Sequence, residues 1–105
     1  MTGLPEYNYP AFMRAEVRLR LAGFNVVNPA KLNTAGDAWV KCLRNDLFHI
    51  VKKCDGMAVL RNWRNSRGAR LEVSVAIQLG MPIIDAISLR PLEITLEQTF
   101  RQRRI

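Results

Sequence analysis

Two short apolar runs, G-M-A-V-L at 56–60 and P-I-I-D-A at 82–86, bracket a helical stretch over 68–79 that stops at Gly80. A short apolar run between turn signals reads as a buried strand. Two such strands separated by a helix pair in parallel, because parallel pairing needs a long crossover connection. The rest of the chain continues the alternation. Pro10 suits the first turn of a helix that runs to about Ala22 and stops at Gly23, with Phe12, Ala15, Leu19 and Ala22 as its core stripe. Met13, Val17 and Leu21 make a second apolar row on that helix, either further packing or a face for a partner subunit. Phe24–Val27 reads as a strand ended by Asn28-Pro29, and residues 38–53 as a helix with Trp39, Leu43, Leu47, Ile50 and Cys54 at helical spacing. A loop is expected over 3–8, and a basic terminal helix from about Leu92 to Arg103. The expectation is therefore one α/β domain over residues 1–105, with a parallel sheet and flanking helices.

Charge narrows the partners. Sixteen Lys and Arg against nine Asp and Glu give a net charge of +7, which favours nucleotides, nucleic acid or an anionic surface over basic ligands. A solvated, solubilising surface is the plainer alternative. Cys42 and Cys54 form no C-x-x-C pair, so a disulfide framework or zinc site is not expected, and buried thiols in a reducing compartment are. No stretch reaches 18 apolar residues and no leader pattern opens the chain, so a soluble cytoplasmic protein without a membrane partner is expected.

In open parallel sheets, ligands sit beyond the carboxyl ends of the strands, where loops meet helix N-termini. The segment after G-M-A-V-L is therefore the place to look for chemistry. It reads R-N-W-R-N-S-R-G-A-R-L-E, placing Arg61, Arg64, Arg67 and Arg70 around the start of a helix, with one carboxylate, Glu72, in its opening turns. Free N–H groups there attract anions. Ser66 offers a hydroxyl or merely a cap, and Gly68 admits close approach of a ligand. Trp63 offers a stacking face for a base or a lid on the core, and Glu72 either acts on an anionic substrate or only complements the helix dipole. Asp46 lies at the margin of its helix's apolar stripe, where partial desolvation would let it keep a proton, or else faces out toward Lys53 or Arg44. Asp55 reads as a structural corner residue and His49 as a surface histidine.

N-D-L-F-H-I-V-K-K-C-D-G-M-A-V-L followed by S-R-G-A-R-L-E-V-S-V-A-I-Q-L-G-M-P-I resembles the nucleoside 2-deoxyribosyltransferase superfamily over residues 1 to about 87. The opening M-T-G-L-P-E-Y-N-Y-P-A-F is similar to a small, phage-rich branch of it. The resemblance implies a flavodoxin-like (Rossmann-like) fold and cleavage or exchange of an N-glycosidic bond. Its G-x-x-x-E pattern implies Glu72 as nucleophile after Gly68, and its (N)-D-L pattern implies Asp46 as the residue contacting sugar or base. The transferases usually carry aspartate where this chain has Ser66. Nucleoside monophosphate N-glycosidases carry a serine that helps hold the 5′-phosphate, so the resemblance implies a phosphorylated substrate with Gly3 in the same phosphate site, in agreement with the anion-binding reading of Arg64 and Arg67.

Retaining-glycosidase logic then has Glu72 attack the anomeric carbon while Asp46 assists departure of the base. No cofactor or metal is implied. Relatives carry a strand just before the M-T-G, and here Met1 is that Met, so the sheet is expected to lack its usual first strand. An upstream start, a rearranged sheet and a strand lent by another chain all remain open. Active relatives are commonly dimers, completing each site with a residue near the neighbour's C-terminus, and L-E-I-T-L-E-Q-T-F-R-Q-R-R-I shows no match to it. Two further readings stand beside the enzyme: a non-catalytic module that sequesters a nucleotide, and, ranked below it, a basic nucleic-acid binder.

Overall fold

The computed structural model describes residues 9–33 and 36–100. Gly3, the expected 3–8 loop and the last residues of the expected basic helix lie outside them. The chain divides into two compact units, residues 1–54 and 55–105.

The first unit is helical: α1 (Tyr9–Leu21), α2 (Pro29–Leu32) and α3 (Trp39–Lys53). α1 ends where Gly23 takes φ +98° and the Phe24 N–H bonds the Leu19 carbonyl at 3.1 Å, a Schellman closure that a residue with a Cβ would strain. Of the expected α1 stripe, Ala15 and Leu19 are buried, Phe12 is partly buried and Ala22 is exposed. Residues 24–27 are not a strand. Phe24 and Val27 are exposed there, and the Val26 carbonyl accepts from Arg20 Nη2 at 3.2 Å rather than from a neighbouring strand.

What stands in for a large apolar core here is a buried polar knot. Asn28 caps α2 through its Oδ1, which accepts from the Ala30 N–H at 2.9 Å, and its Nδ2 donates to Glu16 Oε1 at 3.0 Å. Arg20 Nε donates to Glu16 Oε2 at 2.7 Å, and Lys31 Nζ at 3.1 Å. These bonds from Asn28, then Arg20 and Lys31, lower the buried Glu16 carboxyl from 4.5 to about 2. Asp46 on α3 is buried as well. Around it the expected apolar stripe of α3 is only half-buried.

The second unit realises the expected β-α-β. β1 (Met57–Val59) leads through a 3-10 turn (Trp63–Asn65) into α4 (Arg67–Gln78), then β2 (Ile83–Asp85), and finally α5 (Glu97–Phe100). β1 and β2 pair in parallel with Met57 opposite Ile83 and Val59 opposite Asp85, a two-stranded sheet among the described residues. Val59, Trp63, Val73, Ala76 and Ile83 form its core, with Val73 and Ala76 fully buried. Burying one such aliphatic side chain stabilises the fold by about 1.5–3 kcal/mol. α4 stops as α1 does, with Gly80 at φ +71° and the Met81 N–H on the Ala76 carbonyl at 3.0 Å.

The terminal helix does not begin near Leu92. Pro91 bridges Ile84 in antiparallel fashion, and the Leu92 N–H is taken by the Ile83 carbonyl at 2.8 Å. That pairing holds the backbone extended, and α5 starts only at Glu97. No helix of the described residues is long and apolar enough to cross a membrane.

Candidate functional site

The segment from β1 to α4 is shaped by its own backbone. After Leu60 the chain folds into the 3-10 turn, with the Trp63 N–H on the Leu60 carbonyl at 3.1 Å and the Ser66 N–H on the Trp63 carbonyl at 3.0 Å. Ser66 then leaves the turn in an extended conformation and caps α4, its Oγ accepting from the Ala69 N–H at 3.2 Å. Its carbonyl accepts the Arg70 N–H at 2.9 Å. One orphan donor of α4 is thereby spent inside the protein on the Ser66 hydroxyl oxygen.

Glu72 lies in the second turn of α4, and the first turn holds no acid. The macrodipole acts mainly within the first turn, so it gives no sufficient reason for this carboxylate. Glu72 stands four residues after Gly68 and four before Ala76, which places the three on one helix face. Gly68 and Ala76 are buried and Glu72 is partly buried, at the margin of the packed face.

The four arginines do not act alike. Arg70 Nη1 donates to the Arg64 carbonyl at 2.9 Å, clamping the 3-10 turn onto α4. Arg61 Nε sits 3.8 Å from Asp85 Oδ2. Arg67, at the first position of α4, is exposed. Arg64 lines a hollow of about 440 Å³ together with Glu93, Thr95, Glu97 and Gln98, and its Nε is buried without a hydrogen-bond partner among the described residues. Trp63 is 9% exposed and belongs to the core. Its ring is a packing element, so the stacking face allowed by the sequence is not presented, because residues 63–65 coil it against Val73 and Ile83.

Asp85 is a residue the sequence reading passed over. It ends β2, and its Oδ1 accepts the N–H groups of Ile87 and Ser88 at 2.7 and 2.9 Å, while its carbonyl takes the Leu89 N–H at 2.8 Å. The Ser88 and Ile87 N–H groups hold its carboxyl below the usual range. Leu89 adopts φ +63° in this turn. The available signal was an acid at the end of an otherwise apolar strand run.

Asp46 belongs to the first unit. It does not face out toward Lys53 or Arg44: it is 5% exposed, and its Oδ1 accepts from Asn33 Nδ2 at 2.8 Å. Asn33 is oriented in turn by its bond to the Pro29 carbonyl and by Asn45 Nδ2, which donates to Asn33 Oδ1 at 3.1 Å. No spacing in the sequence links Asn33 to Asp46, since they meet only through the turn after α2. His49 Nδ1 lies 2.9 Å from the Asn45 carbonyl, so it is tied to its own helix rather than unpartnered. Cys42 and Cys54 are partly buried thiols outside any disulfide, and burial, with Asp37 and Asp46 nearby, pushes the Cys42 thiol up. No group of three or more His, Cys, Asp or Glu that could hold a metal ion occurs among the described residues.

Fold and site together define a small α/β protein whose capped helix N-terminus follows a parallel strand and carries arginines and a glutamate. The chain belongs to the DUF4406 family, a domain of unknown function, whose model matches residues 1–85. No curated protein and no solved structure matches it.

Proposed function

We propose that this protein binds a nucleoside 5′-monophosphate at the β1–α4 junction and cleaves its N-glycosidic bond with Glu72 as nucleophile. The observation that carries the reading is the placement of Glu72: one turn beyond a serine-capped helix start, on the face it shares with Gly68, directly after the carboxyl end of a parallel strand. Helix-start N–H groups and the exposed Arg67 suit a phosphate. The Ser66 hydroxyl stands at the same helix start, where it caps the Ala69 N–H.

In this reading a Glu72 carboxylate oxygen bonds to C1′ as the bond from C1′ to the base nitrogen breaks, and the base leaves with the bonding pair and takes up a proton. Water then cleaves the glycosyl ester, releasing sugar 5-phosphate and restoring the carboxylate. A flavodoxin-like sheet, a homodimer and the phage-type branch belong to the same proposal. The role that the resemblance gives Asp46 is tested by Asp46→Asn on the same substrates.

The test is incubation with a panel of ribo- and deoxyribonucleoside monophosphates, read by chromatography for free base. Base from at least one of them, lost in Glu72→Gln, is the expected result. No base from any of them overturns catalysis. Thermal stabilisation by a nucleotide without turnover would then favour the sequestering module, for which about 2.7 kcal/mol at a hundredfold excess over Kd is expected.

A further inference from the structure

The second apolar row of α1 is left mostly outside the fold and outside the proposed chemistry; the Met13 sulfur meets the fold, where it accepts from Asn28 Nδ2 at 3.5 Å. Met13, Val17 and Leu21 are 42%, 61% and 85% exposed. They stand four residues apart, so they stack in one line on the helix surface, about 12 Å long at 1.5 Å per residue. The opposite side of α1 carries the buried Ala15 and Leu19, so this line faces away from that packing and is exposed among the described residues.

Its surroundings are charged in one direction. Arg14 and Arg18 follow Met13 and Val17 by one residue and form the adjacent row on one side; Arg14 is exposed and Arg18 partly so. Glu16 and Arg20 form the row on the other side, where the only carboxylate of α1 is 6% exposed and consumed by Asn28, Arg20 and Lys31. An exposed apolar line bordered by the exposed Arg14 and the partly exposed Arg18, with the one carboxylate of α1 engaged by Asn28, Arg20 and Lys31, is complementary to a helix that has leucine-like residues at i, i+3 and i+4 and acids along their flank.

We infer that this face of α1 docks an acidic amphipathic helix of another protein. A second copy of α1 is a poor occupant, since it would set Arg14 and Arg18 against their own equivalents, and like charges so placed oppose association.

The probe is a synthetic helical peptide with leucine at heptad a and d positions and glutamate flanks, titrated by fluorescence anisotropy into the full chain. Controls are the same peptide with serine for leucine, and one with lysine for glutamate. Expected are binding of the acidic leucine peptide alone and at least about tenfold weaker binding in Val17→Ser and in Leu21→Asp. Affinity should fall with salt and in Arg14→Gln. Leu21 is mostly exposed, so an unchanged melting temperature in Leu21→Asp shows that any loss is local. Four results would overturn the inference: no binding, equal binding by the variants, tighter binding to phosphatidylserine vesicles than to the peptide, or self-association that Leu21→Asp abolishes.

Discussion

The two units hold themselves together by different means. Residues 55–105 bury aliphatic side chains around a parallel strand pair, with Val73 and Ala76 inaccessible to solvent. Residues 1–54 bury few apolar side chains, Ala15, Leu19 and Ala30, and add charge and amide groups: Glu16, Asn28 and Asp46 are each less than a tenth exposed, while Met13, Val17, Leu21 and Phe24 are left outside. Apolar burial is tolerant of direction and resists changes of pH. A hydrogen-bonded carboxylate is directional and depends on its ionisation, and breaking it leaves cations and amides without partners. Acid should therefore act on the first unit through Glu16, whose carboxyl is lowered to about 2, and on the second through the Asp85 turn, whose carboxyl is also held below the usual range. The proposed chemistry, in contrast, rests on a carboxylate that the second unit holds at the margin of its packed face.

The largest effect expected is on that carboxylate. Glu72→Gln should lower base release by about 10³-fold or more if Glu72 is the nucleophile. The substitution is nearly isosteric, so an unchanged melting temperature beside the lost rate separates chemistry from folding; an unchanged rate would remove the functional half of the contrast.

Next comes Val73→Ala. Removing buried methyl groups from a fully packed site should cost about 2 kcal/mol, seen as a lower urea midpoint and faster amide exchange over 57–85. A loss below about 0.5 kcal/mol would mean that the aliphatic core matters less than its burial suggests.

Glu16→Gln sharpens the contrast through pH. The folded value, about 2, lies below the ordinary 4.5, so the carboxylate's contribution is complete above pH 4.5 and is lost as pH falls toward 2. The wild type should lose stability across that window, and Glu16→Gln should show a lower but flatter curve. Parallel curves would show that the polar knot does not set the acid response. The smallest effect expected is Ser66→Ala, a loss of about 1 kcal/mol from the cap of α4, read by thermal melting. If nucleotide binding also weakens, the hydroxyl serves the ligand as well as the helix.

Local rules were legible in the sequence wherever the physics is local. The Gly23 and Gly80 stops, the Ser66 cap and the two apolar runs that became β1 and β2 all follow from residues within a few positions of one another. The helix over residues 38–53 emerged within one residue of its expected start. Failures came where a partner distant in sequence had the last word. Residues 24–27 have strand-like composition and no partner strand among the described residues, and residues 92–96 have helical composition but follow a backbone drawn into pairing with β2 at Pro91 and Leu92. The candidate site divides in the same way. Ser66, Gly68 and Glu72 could be placed on one helix by counting, whereas the commitment of Arg70 to a carbonyl, the burial of Trp63 and the hold of Asn33 on Asp46 could not.

By itself, then, the chain's order of apolar and turn residues determined the β-α-β unit, the helix ends and the position of Glu72 one turn into α4, because helix hydrogen bonds, turns and side-chain periodicity act over four or five residues and a crossover helix leaves its two flanking strands to pair in parallel. Which charges are withdrawn and which apolar rows stay outside was decided only by tertiary structure. Desolvation and pairing depend on what residues far apart in sequence bring to the same place.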